Sequence, residues 1–119
     1  MNTRRSNPAF LNGVPELLVL QLLVRKPMYG YALVQAIKEN TDHVFEFGEG
    51  CIYPILHRLE SAGLLLASKE TVSGRSRLVY QVTHAGHQQL SESVATWRRV
   101  VEAVSHALQG GDHGQPRLA

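Results

Sequence analysis

The sequence predicts a mainly α-helical (α+β) domain with three short helices, a two-stranded hairpin and one long C-terminal helix. Apolar residues recur at helical spacing in four segments, and between the third and the fourth the period changes to the alternation of extended strands. The chain has 119 residues, about the size of one domain. We therefore expect a single core, and a multidomain enzyme with separate substrate and cofactor domains is excluded.

The first two helices are predicted on either side of Pro27. The first runs from about Pro15 to Lys26, because a proline near a helix start loses no hydrogen bond and a proline disfavours helix just before itself. Leucine and valine surround most of its circumference, which is typical of a buried central helix. The second runs from about Tyr31 to Asn40, with Gly30 at its entry.

The third helix, from about Cys51 to Ala62, has two distinct sides. Its buried stripe is predicted from apolar residues at helical spacing: Ile52, Ile55, Leu56 and Leu59. The other side carries Tyr53, Pro54, His57, Arg58 and Ser61. Pro54 is expected within the first turn, where no intrahelical N–H bond is lost, and Gly63 suits the left-handed turn that ends a helix.

The pattern becomes extended after Gly63. Two strands are predicted, at about Leu65 to Thr71 and Arg77 to Val82, and the residues between them supply a hairpin turn: Ser73-Gly74-Arg75-Ser76. In the second strand, alternate residues fall on opposite faces, with Leu78, Tyr80 and Val82 on one of them.

The last helix is predicted from about His84 to Gln109, after Thr83 as its N-cap. Six apolar residues within it step by 4, 3, 4, 3 and 4 positions, and this alternation of fours and threes is typical of a coiled coil with ~3.5 residues per turn. They are Leu90, Val94, Trp97, Val101, Val104 and Leu108. A helix this long extends past a small core, so we expect the stripe to form a dimer interface with a second copy.

This order of elements is typical of a winged helix, in which the third helix enters the DNA major groove and the hairpin touches the backbone or the minor groove. We expect residues 13–83 to form the winged-helix DNA-binding domain and residues 84–109 the C-terminal dimerisation helix. Residues 1–12 are expected to form a flexible N-terminal arm and residues 110–119 a disordered tail. A two-fold dimer would place two recognition helices ~34 Å apart, which fits an inverted repeat in double-stranded DNA.

Three motifs, within about Leu17 to Ala107, resemble the PadR family of bacterial transcriptional regulators. The first is Tyr29-Gly30-Tyr31-Ala32-Leu33. The second is Gly50-Cys51-Ile52-Tyr53-Pro54-Ile55-Leu56-His57-Arg58-Leu59-Glu60, followed by Gly63-Leu64-Leu65, and the third is Arg77-Leu78-Val79-Tyr80-Gln81-Val82-Thr83-His84-Ala85-Gly86. The resemblance implies a winged-helix homodimer, usually a repressor, of the short subfamily with a single C-terminal helix. It also implies release by a small aromatic or hydrophobic effector, since similar regulators respond to phenolic or drug-like molecules.

Seven residues are predicted to contact DNA, four on the third helix and three on the hairpin: Tyr53, Pro54, His57, Arg58, Lys69, Arg75 and Arg77. Arginine can donate two parallel hydrogen bonds to guanine, and tyrosine or histidine can reach a phosphate or a base edge. Arg4 and Arg5 on the arm could add phosphate contacts. A solvated helix face and a solvated hairpin tip remain the alternative interpretation.

The charge of the predicted DNA surface leaves a second function open. From Gly50 to Thr83 the chain carries four basic and two acidic residues, a net charge of +2, which is low for a DNA-binding region. A winged-helix module that binds protein and not DNA is therefore the alternative function. Salt-sensitive binding to DNA would distinguish the two.

Trp97 is the sole tryptophan and lies in the middle of the apolar stripe. The simpler hypothesis is that it packs in the dimer interface, where it buries a large area. The sharper hypothesis is that two Trp97 side chains near a dimer axis form an apolar slot, in which a planar aromatic effector stacks and changes the spacing of the recognition helices.

Cys51 and the histidines offer weaker signals. Cys51 starts a predicted helix, where the dipole lowers a thiol pKa, so redox sensing competes with a structural role as a small packed residue. It also departs from the small hydroxyl residue common after this glycine in the resembled family. His84 and His87 share a helix face, but zinc needs three or four ligands. We therefore predict no metal site.

Several classes of protein are excluded by what the sequence lacks. It has no Gly-rich phosphate loop, Ser-His-Asp signature or metal motif, so we predict that it is not an enzyme and uses no cofactor. One cysteine cannot form an internal disulfide, which favours the reducing cytoplasm. The longest nearly apolar run, Leu17 to Val24, is too short to span a membrane.

Overall fold

The structure, a computed structural model, describes residues 13–110. The predicted arm, with Arg4 and Arg5, and the predicted tail beyond Gly110 lie outside the described residues. The elements in chain order are α1 (Val14–Arg25), β1 (Met28–Tyr29), α2 (Gly30–Asn40), α3 (Glu49–Ser61), β2 (Leu65–Val72), β3 (Arg75–Val82) and α4 (His84–Leu108). The predicted mainly α-helical class with a β wing is confirmed.

The sheet has three strands where the sequence predicted two. Its order is β1-β3-β2 and both pairings are antiparallel. Strand β1 has only two residues, too few to show a strand period, and it pairs Met28 with Tyr80 and Tyr29 with Val79. This short strand directly precedes α2 and pairs with β3, so it connects the helices to the hairpin.

The hairpin turn is shorter than predicted. Ser73 and Gly74 have φ of 52° and 78°, and a two-residue loop with positive φ at both positions is the kind that matches the twist of the flanking strands. Val72 pairs with Arg75, so Arg75 already belongs to β3 and is not a turn residue. The wing therefore ends in a tight turn directly beside Arg75.

The core lies where α1, α2 and α3 meet the inner face of the sheet. Its least exposed side chains come from all four of these elements: Val19, Leu20, Leu23, Leu33, Ile37, Ile52, Leu56 and Tyr80. The predicted buried stripe of α3 is confirmed, since Ile52, Ile55, Leu56 and Leu59 are all buried. The burial of one side of α3 leaves its other side outside the core.

Pro54 does not lie in the first turn of α3, as the sequence analysis expected. The helix begins at Glu49, two residues before the predicted start, so Pro54 is in the second turn. Because proline has no N–H, the carbonyl of Gly50 receives no helical hydrogen bond from residue 54. The helix continues through this point to Ser61, stabilised by the packing of its buried stripe.

The end of α3 and the start of α4 are joined by hydrogen bonds. Gly63, with φ of 80°, ends α3 in a left-handed turn, and the amides of Gly63 and Leu64 donate to the carbonyls of Glu60 and Leu59, both at 2.9 Å. The Thr83 hydroxyl donates to the Gly63 carbonyl at 2.7 Å and accepts from the Gly86 amide at 3.1 Å. Thr83 is confirmed as the N-cap of α4, and it also fixes α4 against α3.

Candidate nucleic-acid interface

The outward side of α3 is formed by residues opposite its buried stripe. Gly50, Pro54, His57 and Ser61 are all exposed, and their spacing places them on one face of the helix. His57 is the polar side chain nearest the middle of this face. The face offers the His57 imidazole and the Ser61 hydroxyl for hydrogen bonding. Gly50 and Pro54 add no polar side chain to it.

Tyr53 lies on the flank of α3 and is only half-exposed. Its ring packs against the backbone of Gly30 at the start of α2, because a Cβ atom at residue 30 would overlap the ring. Its ring centroid is 6.3 Å from that of His57, with the planes tilted by 48°. Tyr53 therefore supports the position of His57 and joins α3 to α2 as well as facing outwards.

An open cleft separates α3 from the wing. It has a volume of about 260 Å³ and is lined in part by Tyr53 and His57 of α3 and by Ser76, Leu78 and Tyr80 of β3. Leu78 is exposed and Tyr80 is buried at the base. Burial, with smaller contributions from Glu60 and Tyr53, raises the pKa of Tyr80.

The sequence analysis missed Ser76 and Leu78 as cleft residues. The alternation along β3 assigned Leu78 to the same face as Tyr80, but the pattern did not indicate that α3 would lie across from this face. The sequence pattern therefore predicted which face of β3 carries Leu78, but it did not predict the cleft between that face and α3.

The strand register separates the wing cations onto two faces. Lys69 pairs with Leu78, so it shares the face that carries the cleft residues. Arg75 and Arg77 alternate with Ser76 and Leu78 and extend from the other face, although Arg77 also borders the cleft at its edge. Lys69 and Arg75 are exposed, and both are free to reach an anion near the tip of the wing.

Arg77 is held against the sheet. Its guanidinium carbon lies 4.5 Å from the centroid of the Tyr29 ring, a cation–π geometry, and its Nε atom is buried without a hydrogen-bond partner among the described residues. Arg77 therefore stabilises the pairing of β1 with β3. It is less available at the surface than Arg75.

Arg58 forms an ion pair with a residue that the sequence did not connect to it. Its Nη2 atom donates to Oε1 of Glu16 on α1 at 2.7 Å, and the two side chains are 58% and 31% exposed. Arg58 lies towards the α1 side of α3 and not at the centre of the outward face. The two residues are 42 positions apart, so no local pattern could have revealed this contact.

Cys51 is the third residue of α3 and is half-buried. Burial raises the pKa of its thiol, so the expectation that the helix dipole lowers this pKa is wrong. Loss of solvent around the half-buried side chain disfavours the charged thiolate. The chemistry of Cys51 is that of a packed, protonated thiol.

The two histidines at the start of α4 do not gather further ligands. His84 and His87 are exposed. Within residues 13–110, no group of three or more histidine, cysteine, aspartate or glutamate side chains is arranged to hold a metal ion.

The apolar stripe of α4 begins inside the protein and continues beyond it. Leu90 is buried in the core of its own chain, at 8% exposure, and Val94 packs against that core. The remaining predicted stripe residues are exposed: Trp97 (40%), Val101 (42%), Val104 (51%) and Leu108 (82%). Val100, which the heptad spacing did not select, is also exposed.

None of the helices in the described part of the chain combines the length and apolar character that crossing a membrane requires.

A larger cavity lies between the start of α1 and the middle of α4. Its volume is about 440 Å³, and its walls include Val14, Glu16 and Leu17 of α1 with Glu92, Trp97 and Val100 of α4. Apolar side chains and two carboxylates therefore line the same space. Trp97 lies both on this wall and on the exposed stripe.

Comparison with known proteins gives a consistent result. Residues 19–92 match the transcriptional regulator PadR-like family. The chain is 34% identical over 102 residues to the transcriptional regulator Rv3488 of Mycobacterium tuberculosis, with 86% of this chain and 89% of that protein covered.

Solved structures agree with this family match. A PadR-like transcriptional regulator from Bacillus cereus has a TM-score of 0.75 at 30% identity, covering 86% of this chain and 98% of that one. A PadR family regulator from Eggerthella lenta has a TM-score of 0.72 at 34% identity, covering 85% of this chain and 87% of that one.

Proposed function

Because the chain belongs to the PadR-like family of transcriptional regulators, we propose that it is a homodimeric repressor of transcription. It binds an inverted-repeat operator in double-stranded DNA and is released by a small aromatic or hydrophobic effector. Residues 13–83 form its DNA-binding domain and residues 84–109 its dimerisation helix. We assign it no catalytic activity, cofactor or metal, and a regulator of chromosomal genes acts in the cytoplasm.

The observation that carries this proposal is the outward side of α3 beside an open cleft with the wing. His57 and Pro54 are exposed on that face, and Tyr53 borders it. In the proposed complex α3 lies in the major groove, where His57 reaches a base edge or phosphate and Arg58 contributes a cation. Pro54 makes apolar contact with the groove.

The wing contributes the remaining cations. Lys69 on the cleft face and Arg75 beside the turn are exposed and contact phosphates in the proposed complex. Arg77 supports DNA binding mainly by stabilising the wing, because its guanidinium carbon packs 4.5 Å from the centroid of the Tyr29 ring. Its charge also adds to the positive surface potential.

The dimer is supported by the exposed part of the α4 stripe. Trp97, Val101, Val104 and Leu108 leave an apolar strip in water, and the helix of 25 residues spans about 37 Å at 1.5 Å per residue. Pairing with a second copy removes this strip from water. Leu90 and Val94 serve the core of their own chain and anchor the helix from which the interface projects.

The effector is supported by the cavity between α1 and α4, which has Trp97 in its wall. An aromatic compound that enters there contacts Trp97 and changes how α4 packs, and so the spacing of the two recognition helices. If this is correct, 1-naphthol should bind the wild-type dimer by calorimetry and fail to bind a Trp97→Ala variant that is still dimeric. Equal binding of 1-naphthol to both proteins would mean that Trp97 does not contact the effector and only packs in the dimer interface.

Selection of duplexes from a random library on the purified chain tests DNA binding. We expect an inverted repeat to be enriched, with a log–log salt slope of about −0.9 for each phosphate neutralised. His57→Ala should weaken binding to the selected duplex at least about fivefold, whereas Gln88→Ala, exposed on α4, should not change it. A chain that binds no duplex in a salt-sensitive way would favour the protein-binding module, which the low charge and the pairing of Arg58 with Glu16 support.

A further inference from the structure

We propose that Glu16 on α1 lowers the DNA affinity of this chain through its ion pair with Arg58. Its carboxylate holds the Arg58 guanidinium on the α1 side of α3 and offsets its charge, so a contact between Arg58 and DNA either breaks this pair or brings a phosphate close to the carboxylate. This inference rests on the proposed function of α3 as the DNA-reading helix. It assigns to α1, otherwise a core helix, a direct effect on DNA affinity.

The ion pair involves the one full positive charge that α3 carries. Between Glu49 and Ser61, Arg58 is the only lysine or arginine. Its bond to Glu16 measures 2.7 Å, within the range of a charge-assisted hydrogen bond. It is the only ion pair found among residues 13–110. The single strong cation of the helix is therefore matched by a carboxylate from another element.

A phosphate and the Glu16 carboxylate compete for the same guanidinium. Arginine has five N–H donors, but a phosphate that approaches Arg58 while Glu16 stays bound brings two anions close together. Their repulsion, or the loss of the ion pair, reduces what the Arg58 contact adds to DNA binding. Glu16 therefore lowers DNA affinity, and a neutral residue there should raise it.

The exposure of the pair limits the size of this effect. Both side chains are partly in water, at 58% and 31%, where ion pairs are weak and screened by salt. We expect Glu16→Gln to tighten binding by about two- to fivefold per subunit at low salt. Its log–log salt slope should steepen by up to about 0.9 per subunit, because Arg58 then acts as an unmatched cation.

The test compares Glu16→Gln with Glu92→Gln on a duplex selected by the wild-type chain. Glu92 lines the same cavity as Glu16 and loses the same charge, but it has no ion pair with Arg58. Glu16→Gln should bind more tightly than Glu92→Gln, and the excess should disappear in an Arg58→Gln background, as a double-mutant cycle measures. Thermal unfolding followed by circular dichroism shows whether each variant is folded.

Each other outcome overturns the inference. Equal effects of the two glutamate variants would mean that only overall charge matters. An excess that persists without Arg58 would indicate a role of Glu16 at the start of α1, where a carboxylate stabilises the helix. Weaker binding by Glu16→Gln would mean that the ion pair prepares Arg58 for contact. A wild-type chain that binds no duplex would overturn the proposed function together with this inference, whereas the other three outcomes leave that function intact.

Discussion

The Tyr53 ring on α3 packs directly against the backbone of Gly30, the first residue of α2, with no room for a Cβ atom between them. This contact joins two of the three sequence motifs that resemble the family, the one around Tyr29-Gly30 and the one around Tyr53-Pro54. This close approach, and not the backbone conformation, distinguishes Gly30, because its φ is not in the left-handed region. The contact sets the position of the outward face of α3.

Gly30→Ala should therefore destabilise the protein by about 1–3 kcal/mol, because the added methyl group must displace the Tyr53 ring or the backbone of α2. Urea unfolding measures the change. Gly50→Ala is the matched control: this glycine also lies in a helix, but nothing lies within 4 Å of a Cβ atom there. Gly50→Ala should be neutral or stabilising by about 0.5–1 kcal/mol. Equal stability of the two variants would show that the ring moves aside freely.

Thr83→Ala should also destabilise the protein, by about 1–2 kcal/mol, because the hydroxyl both caps α4 and donates to Gly63 at the end of α3. Thr83→Ser keeps the hydroxyl and should recover most of this loss. The midpoint of thermal unfolding reports both variants. A serine variant as unstable as the alanine variant would assign the effect to the lost methyl group.

Val101→Glu should convert the proposed dimer to a monomer that is still folded. Val101 is 42% exposed in the single chain, so a carboxylate there is solvated in the monomer and would be buried in the proposed interface. Sedimentation velocity measures the mass, and circular dichroism measures the helix content. Ala103→Glu adds the same charge on a different side of α4 and should remain dimeric. Monomers in both cases, or in neither, would contradict the proposed use of the stripe.

The Cys51 thiol should react slowly. Burial raises its pKa, so the thiolate fraction at pH 8 is lower than in a free thiol, and its reaction with Ellman's reagent should accelerate on unfolding in urea. The pKa of Cys51 is higher in the folded state than in the unfolded state. The contribution of this thiol to the free energy of unfolding is therefore fully present below the unfolded-state pKa. It is lost as the pH rises through the folded-state pKa. Cys51→Ala should remove that alkaline loss. Fast reaction of the native thiol at pH 7 would revive the redox hypothesis.

The helices and the two long strands were predicted closely because their residues carry the information locally. Apolar spacing and glycine or proline at the ends located α1, α2 and α4 within about one or two residues, and the buried stripe of α3 was identified residue by residue. The start of α3 was placed too late, since Glu49 and Gly50 are polar or small and add nothing to an apolar pattern. That error moved Pro54 from the second turn to the first.

The candidate site was predicted less completely, because its geometry depends on contacts between distant segments. The pattern indicated an outward face on α3, but it did not reveal that Tyr53 packs on Gly30 or that Arg77 lies over Tyr29. It also assigned Leu90 to a dimer interface by its spacing, whereas the core of the same chain buries it. Spacing identifies an apolar stripe and does not say which surface covers it.

The sequence by itself determined the order of the elements, the face of each helix that is buried and the family resemblance, since all of these depend on residues a few positions apart. Only the tertiary structure decided which charged side chains form an ion pair and which ionisable groups lose contact with solvent. Glu16 and Arg58 pair because α1 and α3 cross at those residues, and desolvation raises the pKa of Cys51 although it lies in the first turn of a helix. Electrostatic interactions depend on distance and solvent exposure in three dimensions, and neither quantity is contained in the periodicity of a sequence.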